Sequence, residues 1–174
     1  MGYTNNSIII NKDIGELFLI LNNIQNWPEL HGYKSAELLE TKKLIDDKVK
    51  LVFKIIGEDE EDHDHHHNHD EEDHHPEIWI SQRIIDKNNY SARGVRLEPS
   101  FPFKYWILDI ILTQEKNGTK MTWIQDFSMD HKTGHTDEEI EGYINRGSIE
   151  EMQTIKEKIE KGTIYKKLDA SIFD

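Results

Sequence analysis

The chain has no cysteine among its 174 residues. That excludes a disulfide framework and a thiol nucleophile, and it is compatible with a reducing cytoplasm. Long hydrophobic runs are also missing. No segment approaches the ~20 consecutive apolar residues that cross a bilayer, and Met1 to Asn11 lacks the basic start and apolar stretch of a signal peptide. The expectation is a cytoplasmic protein with no membrane partner. Positive charge is scarce, with 21 Lys and Arg against 34 Asp and Glu and a net charge of −13. No basic stripe with interleaved aromatics occurs, which argues against nucleic acid as a partner. The deficit is uneven. Ten of the acidic residues fall in 58–75, a stretch without Lys or Arg, so the rest of the chain is only mildly acidic.

The length suggests one domain, 1–174, able to bury roughly 70% of the surface its unfolded chain would expose. In residues 13–22, Ile14, Leu17, Phe18 and Leu21 stand at helical spacing, and Trp27-Pro28 is expected to end any further turn. Residues 35–45 read as one strand, or as two with a turn between them. Strands follow at 48–56, where Val49, Leu51, Phe53 and Ile55 share a face, at 78–85 and at 90–97. After a loop with two prolines, residues 105–113 form another strand. Lys116-Asn117-Gly118 then signals a hairpin. In the strand after it, Met121, Trp123, Gln125, Phe127 and Met129 alternate with Lys120, Thr122, Asp126, Ser128 and Asp130. Thr136 and Glu139 make a capping box that opens a helix of about 25 residues, roughly 37 Å long. Its expected apolar stripe holds Ile140, Tyr143, Ile144, Gly147, Ile149, Met152, Ile155 and Ile159. One-faced strands need a cover, and only this helix is long enough to supply it. A curved antiparallel sheet gripping the helix, with a space between them, is the economical α+β arrangement.

Within that frame the segment Trp79-Ile80-Ser81-Gln82-Arg83 stands out. On a strand, Trp79, Ser81 and Arg83 point the same way. An aromatic wall, a hydroxyl and a guanidinium make poor chemistry for a dry core and good chemistry for a cavity that holds a flat, oxygen-rich molecule. Each residue also has a plainer reading. Arg83 could pair with Asp109, Glu98 or Asp126, Trp27 and Trp79 could be core, and Tyr33 could be a loop aromatic.

The motifs NIQNWPELHGYKSAELLE, WISQR, MTWIQDFSMD and INRGSIEEMQTIKEKIE, in this order and spacing, resemble the polyketide cyclase/aromatase branch of the START-like helix-grip superfamily. The resemblance implies a curved antiparallel sheet wrapped around a long C-terminal helix, with an internal cavity and no cofactor. It implies regiospecific aldol closure and aromatisation of a linear poly-β-ketone presented by an acyl carrier protein. By resemblance Arg83 and Tyr33 fall on acid/base positions and Ser81 on a hydrogen-bonding hydroxyl. Trp27 and Trp79 fall on the pocket wall, and Asn145 on a polar position of the long helix. The stripe Met121, Trp123, Phe127 and Met129 reads from its alternation as sheet core facing the helix, a face that would also be cavity wall for Trp123 and Phe127. A guanidinium cannot serve as a base near neutrality, so Arg83 is cast as oxyanion stabiliser, with Tyr33 or water handling protons. A binder of a hydrophobic small molecule without catalysis is the alternative that the same fold supports.

The stretch 58–75, EDEEDHDHHHNHDEEDHH, departs from this family pattern and carries seven of the ten histidines. Mixed imidazole and carboxylate groups, among them His63, His65, His66, His67 and His69, admit weak divalent metal binding. The plainer reading is a solvated loop without apolar residues to fold around a site. Two surface expectations complete the sequence reading. Lys87, Arg93, Arg96 and Lys104 could form a basic patch for an acidic carrier, and Ile78, Ile80 and Ile84, opposite Trp79, offer a face for a homodimer.

Overall fold

The computed structural model describes residues 1–57 and 77–174. The elements run β1 (Gly2–Ile10), α1 (Ile14–Leu21), α2 (Trp27–His31), β2 (Ser35–Lys43), β3 (Lys48–Ile56), β4 (Ile78–Asp86), β5 (Ser91–Glu98), β6 (Phe103–Glu115), β7 (Gly118–Met129) and α3 (Asp137–Glu160). The strands form one antiparallel sheet in the order β1-β7-β6-β5-β4-β3-β2. Apart from β1, each strand pairs with its sequence neighbour, as a meander of hairpins requires. β1 closes the far edge against β7, so the first and last strands meet. The sheet curves around α3, whose buried stripe is Ser148, Met152, Ile155 and Ile159.

The alternation that marked β3 in the sequence is the alternation of burial. Val49, Leu51, Phe53 and Ile55 are buried while their neighbours are half-exposed. Residues 35–43 form one strand, with an irregularity between Leu38 and Glu40. The capping box is present, the Thr136 hydroxyl accepting from the Glu139 N–H and Glu139 accepting from the Thr136 N–H.

Three expectations change. Pro28 does not end the helical path but starts α2, in the first turn, where its missing N–H has no partner to lose. Tyr143 and Ile149 do not belong to the buried stripe of α3 and are 66% and 49% exposed, because they lie off the face centred on Ser148 and Met152. The N-terminal segment, given no structure in the sequence reading, is β1. Its inward face ends in the apolar Ile8 and Ile10, but the first three inward positions, Gly2, Thr4 and Asn6, are small or polar because each faces a specific neighbour. A Cβ on Gly2 would collide with the Phe127 ring. Thr4 Oγ1 accepts from Gln125 Nε2 at 3.2 Å, and Asn6 Nδ2 donates to Asn145 Oδ1 at 2.9 Å.

After α3 the chain returns as a strap. Asn26 brackets the backbone of Lys166 with both ends of its amide, Leu168 N–H donates to the Leu19 carbonyl, and Phe173 is buried against Phe18. This fixes α1 and α2 over one end of the sheet. Ile78, Ile80 and Ile84 lie on the convex face, where Ile78 is exposed and the other two are half-buried.

Candidate active site

Antiparallel register builds the site from the concave face outwards. In β4, Trp79, Ser81 and Arg83 stand opposite Ile55, Phe53 and Leu51 of β3. On the other side Arg83 faces Gly94 and Ser81 faces Arg96 in β5. Gly94 in turn faces Leu108, which faces Gln125. With no side chain at Gly94, the concave face is open next to Arg83. Between this face, α2 and the middle of α3 lies a cavity of about 280 Å³, lined by Trp27, Tyr33, Trp79, Ser81, Arg83 and Trp123 together with further side chains from β3 to β7 and α3.

Arg83 is the electrostatic centre of this cavity. It is 8% exposed. Its Nη1 donates to Asn22 Oδ1 at 3.0 Å, and the guanidinium lies 4.6 Å from the Trp27 ring centroid. Asn22 is itself fixed by donating to the Phe18 carbonyl. None of Asp109, Glu98 and Asp126 pairs with it: Asp109 is taken by Arg93, and Asp126 accepts from Tyr105. Arg83 Nε is buried without a partner, as is Trp123 Nε1. Burial pulls the guanidinium down to about 10, with Tyr33 opposing, so it stays cationic near neutral pH. Among the described residues this buried cation meets a neutral amide, an aromatic face and the Tyr33 phenol and no carboxylate, so it has donor capacity left for a ligand oxygen.

Tyr33 follows Gly32, which ends α2 in a left-handed turn at φ 78. The ring meets Trp79 edge-on at 5.8 Å and stacks on His31 at 5.4 Å. Burial first, and then the Glu151 carboxylate, push the phenol above its ordinary range, while Arg83 opposes the shift. Tyr33 therefore remains a neutral hydroxyl donor. Trp27 is anchored by donating Nε1–H to the Leu21 carbonyl and packs edge-on against Phe53.

Of the residues expected at the site, Phe127 and Asn145 do not line the cavity. Phe127 is fully buried between Gly2 and Phe103, as a plug beyond the cavity's end. Asn145 binds Asn6 on β1. The sequence reading also missed members of the lining. His31 Nδ1 lies 2.6 Å from Glu151 Oε2, linking α2 to α3 at the cavity wall. A polar chain runs from Trp106 Nε1 to Gln125 Oε1, and from Gln125 Nε2 to Ser148 Oγ. Arg96 is a wall residue as well, stacked at 4.7 Å on Trp79 and donating to Glu77, Pro99 and Phe101. His31 sits two residues before Tyr33 within the motif already singled out, which is the only sequence signal for it. Its partner is 120 positions away.

The expected basic patch does not form as one surface. Arg93 points to the convex face and is paired with Asp109, whereas Arg96 points into the concave side. The parity of β5 separates them. Lys87 lies over the Phe173 ring. Among the described residues no group of three or more His, Asp or Glu side chains could hold a metal ion, and no helix is long and apolar enough to cross a membrane. The expected ligands His63, His65, His66, His67 and His69 lie outside the described residues.

No family model matches the chain. Two curated relatives are each named "Putative polyketide cyclase". The protein from Streptomyces cyaneus is 27% identical over 161 residues, which is 92% of this chain and 95% of that one. The protein from Streptomyces halstedii is 27% identical over 124 residues, which is 71% of this chain and 98% of that one. Among solved structures, the Zhui aromatase/cyclase from Streptomyces sp. R1128 aligns with a TM-score of 0.68 at 12% identity, covering 91% of this chain and 93% of that one. The di-domain aromatase/cyclase BexL from the BE-7585A biosynthetic pathway aligns at 0.69 and 13%, covering 92% of this chain. The chain spans 47% of the length of that di-domain protein. At these identities the structures speak to the fold. A seven-stranded antiparallel sheet closed around a C-terminal helix, with a cavity between, is the START-like helix-grip fold. The curated relatives are each named as a putative polyketide cyclase, and these two solved structures that share the fold are aromatase/cyclases.

Proposed function

We propose that this protein is a polyketide cyclase/aromatase that directs aldol ring closure of a linear poly-β-ketone inside the helix-grip cavity. The observation that carries the proposal is Arg83, a buried guanidinium that has, among the described residues, no carboxylate partner and no partner for Nε at the cavity wall. Such a group fits a ligand that brings oxygen and develops negative charge on it. Removal of a proton between two carbonyls makes an enolate, and Arg83 would hold the enolate oxygen with Asn22 keeping the guanidinium in place. Tyr33, kept neutral by its surroundings, would donate a hydrogen bond to a second carbonyl and polarise it for attack. Trp27, Trp79 and Trp123 would confine the floppy chain to one folded path, an orientation effect. Delivery by an acyl carrier protein, and loss of water to form the aromatic ring, belong to the same proposal and rest on the family resemblance.

The test is a product profile. A minimal polyketide synthase supplies the linear chain, and the products formed with wild-type protein and with Arg83→Ala are resolved chromatographically. The expected outcome is a new ring pattern that reverts to spontaneous products in the variant, with a rate loss of about 10²–10³-fold. Binding of the chain without any change of products, in wild type and variant alike, would replace the cyclase by a non-catalytic binder.

A further inference from the structure

The cyclase reading needs a base, and none of Arg83, Tyr33 and Ser81 is one. Aldol closure begins with loss of a carbon-bound proton. Arg83 and Arg96 are cations at neutral pH, and Tyr33 holds its proton more tightly than a free phenol. Ser81 and Ser148 are hydroxyls with no base beside them that could take their protons onward. Among the cavity-lining side chains this leaves His31 and Glu151.

We infer that His31, oriented by Glu151, is the general base of the cavity. The inference rests on the cyclase reading and assigns a residue for its first step. A carboxylate can only accept a hydrogen bond, so in the neutral imidazole the 2.6 Å contact to Glu151 places the ring hydrogen on Nδ1 and the lone pair on Nε2. Three contacts fix the ring plane. It stacks on Tyr33 at 5.4 Å and 27°, meets Trp27 edge-on at 5.6 Å, and is tied to α3 through Glu151. The imidazole thus stands beside the phenol that faces Arg83 across the cavity. Its side chain is only 12% exposed, while Glu151 is 37% exposed and connects the pair to solvent. Imidazole is the side-chain type that takes and returns protons near neutral pH.

The step balances without any co-reactant. Nε2 takes the proton from a methylene between two ketones, and the C–H electron pair moves into the neighbouring carbonyl, giving an enolate whose oxygen is held by Arg83. The enolate carbon then forms a C–C bond to a second ketone carbon, and that ketone's oxygen receives the proton carried by His31. The product of this step is an isomer of the substrate. In this scheme His31 is a catalytic residue and Glu151 a positioning residue. The link between α2 and α3 does not depend on the pair alone, because Lys158 of α3 also donates to the Glu29 carbonyl and lies 3.7 Å from the Glu29 carboxylate.

The experiment uses the full chain and a synthetic linear triketone, with ring closure followed by chromatography and binding by quenching of tryptophan fluorescence. His31→Ala is expected to lower the closure rate about 10²–10³-fold, to bind the triketone within about threefold of wild type, and to regain rate when free imidazole is added. Glu151→Gln, which keeps a hydrogen bond to the ring, is expected to lower kcat about tenfold with KM nearly unchanged. If His31→Ala is not folded by circular dichroism, His31→Gln takes its place in the same assay. Wild-type acceleration that persists within about threefold in the His31 variant overturns the base and leaves the cyclase reading standing. No acceleration by wild-type protein, either of the triketone or of the synthase-supplied chain, overturns the cyclase reading and the base with it.

Discussion

The two faces of the sheet use arginine in opposite ways. Arg93, on the convex face, places its fork on Asp109 of the neighbouring strand with contacts of 2.7 and 2.9 Å, and its side chain is 64% exposed. Arg83, one strand away and pointing inwards, is 8% exposed and meets no carboxylate among the described residues. In the register Arg93 stands opposite Ile84, the residue next to Arg83, so a single step of strand alternation separates a paired surface cation from an unpaired buried one. The convex charge is satisfied by the protein itself. The concave charge has no such partner among the described residues, and a buried charge left so carries a desolvation cost.

The contrast is sharpest against the part of the concave face that is filled. Phe127 shares its strand face with Trp123 and Gln125 but is completely buried, with Gly2 beneath it and the Phe103 ring edge-on at 5.9 Å. Phe127→Ala is expected to destabilise the protein by about 3–5 kcal/mol in chemical denaturation, since the cavity left behind has rigid strands on both sides. A loss below about 1 kcal/mol would mean that this end of the grip is as open as the other. The next effect has the opposite sign. Arg83→Met replaces the buried guanidinium by an apolar chain of similar length. It is expected to raise the unfolding free energy by about 1–2 kcal/mol while abolishing the new ring pattern. Destabilisation of similar size instead would show that Asn22 and Trp27 more than compensate the buried charge.

Much of this arrangement was legible in the sequence, and the limits have physical causes. Strand β3 announced itself because its inward residues Val49, Leu51, Phe53 and Ile55 are large and apolar at every second position, and β7 because Met121, Trp123, Phe127 and Met129 alternate with polar residues. α3 announced its start because a capping box is a local signal. β1 was illegible because the first three of its inward positions, Gly2, Thr4 and Asn6, match Phe127, Gln125 and Asn145 rather than hydrophobicity, which leaves only Ile8 and Ile10 as an apolar signal. The same strand explains Asn145, whose amide serves β1 and not the cavity. Alternation places Trp79, Ser81 and Arg83 on one face together, and it places Phe127 on that face too. It cannot distinguish cavity wall from plug, which is decided by Gly2 in the strand alongside. The pair His31 and Glu151 escapes sequence reading for another reason. Its members are joined only when α2 and α3 close over the sheet.

The smallest expected effect is the most direct check on the contrast between the faces. Arg93→Met removes an exposed ion pair, and exposed pairs contribute about 0.2–1 kcal/mol even with good geometry. The loss in urea unfolding is therefore expected within that range, with the m-value and the product pattern unchanged. Arg83 and Arg93 share no partner and point to opposite faces. The double variant Arg83→Met, Arg93→Met is accordingly expected to show the sum of the two single effects within about 0.5 kcal/mol. A coupling larger than about 1 kcal/mol would mean that the charge inside the cavity is felt through the sheet, and that the two faces cannot be treated as separate environments.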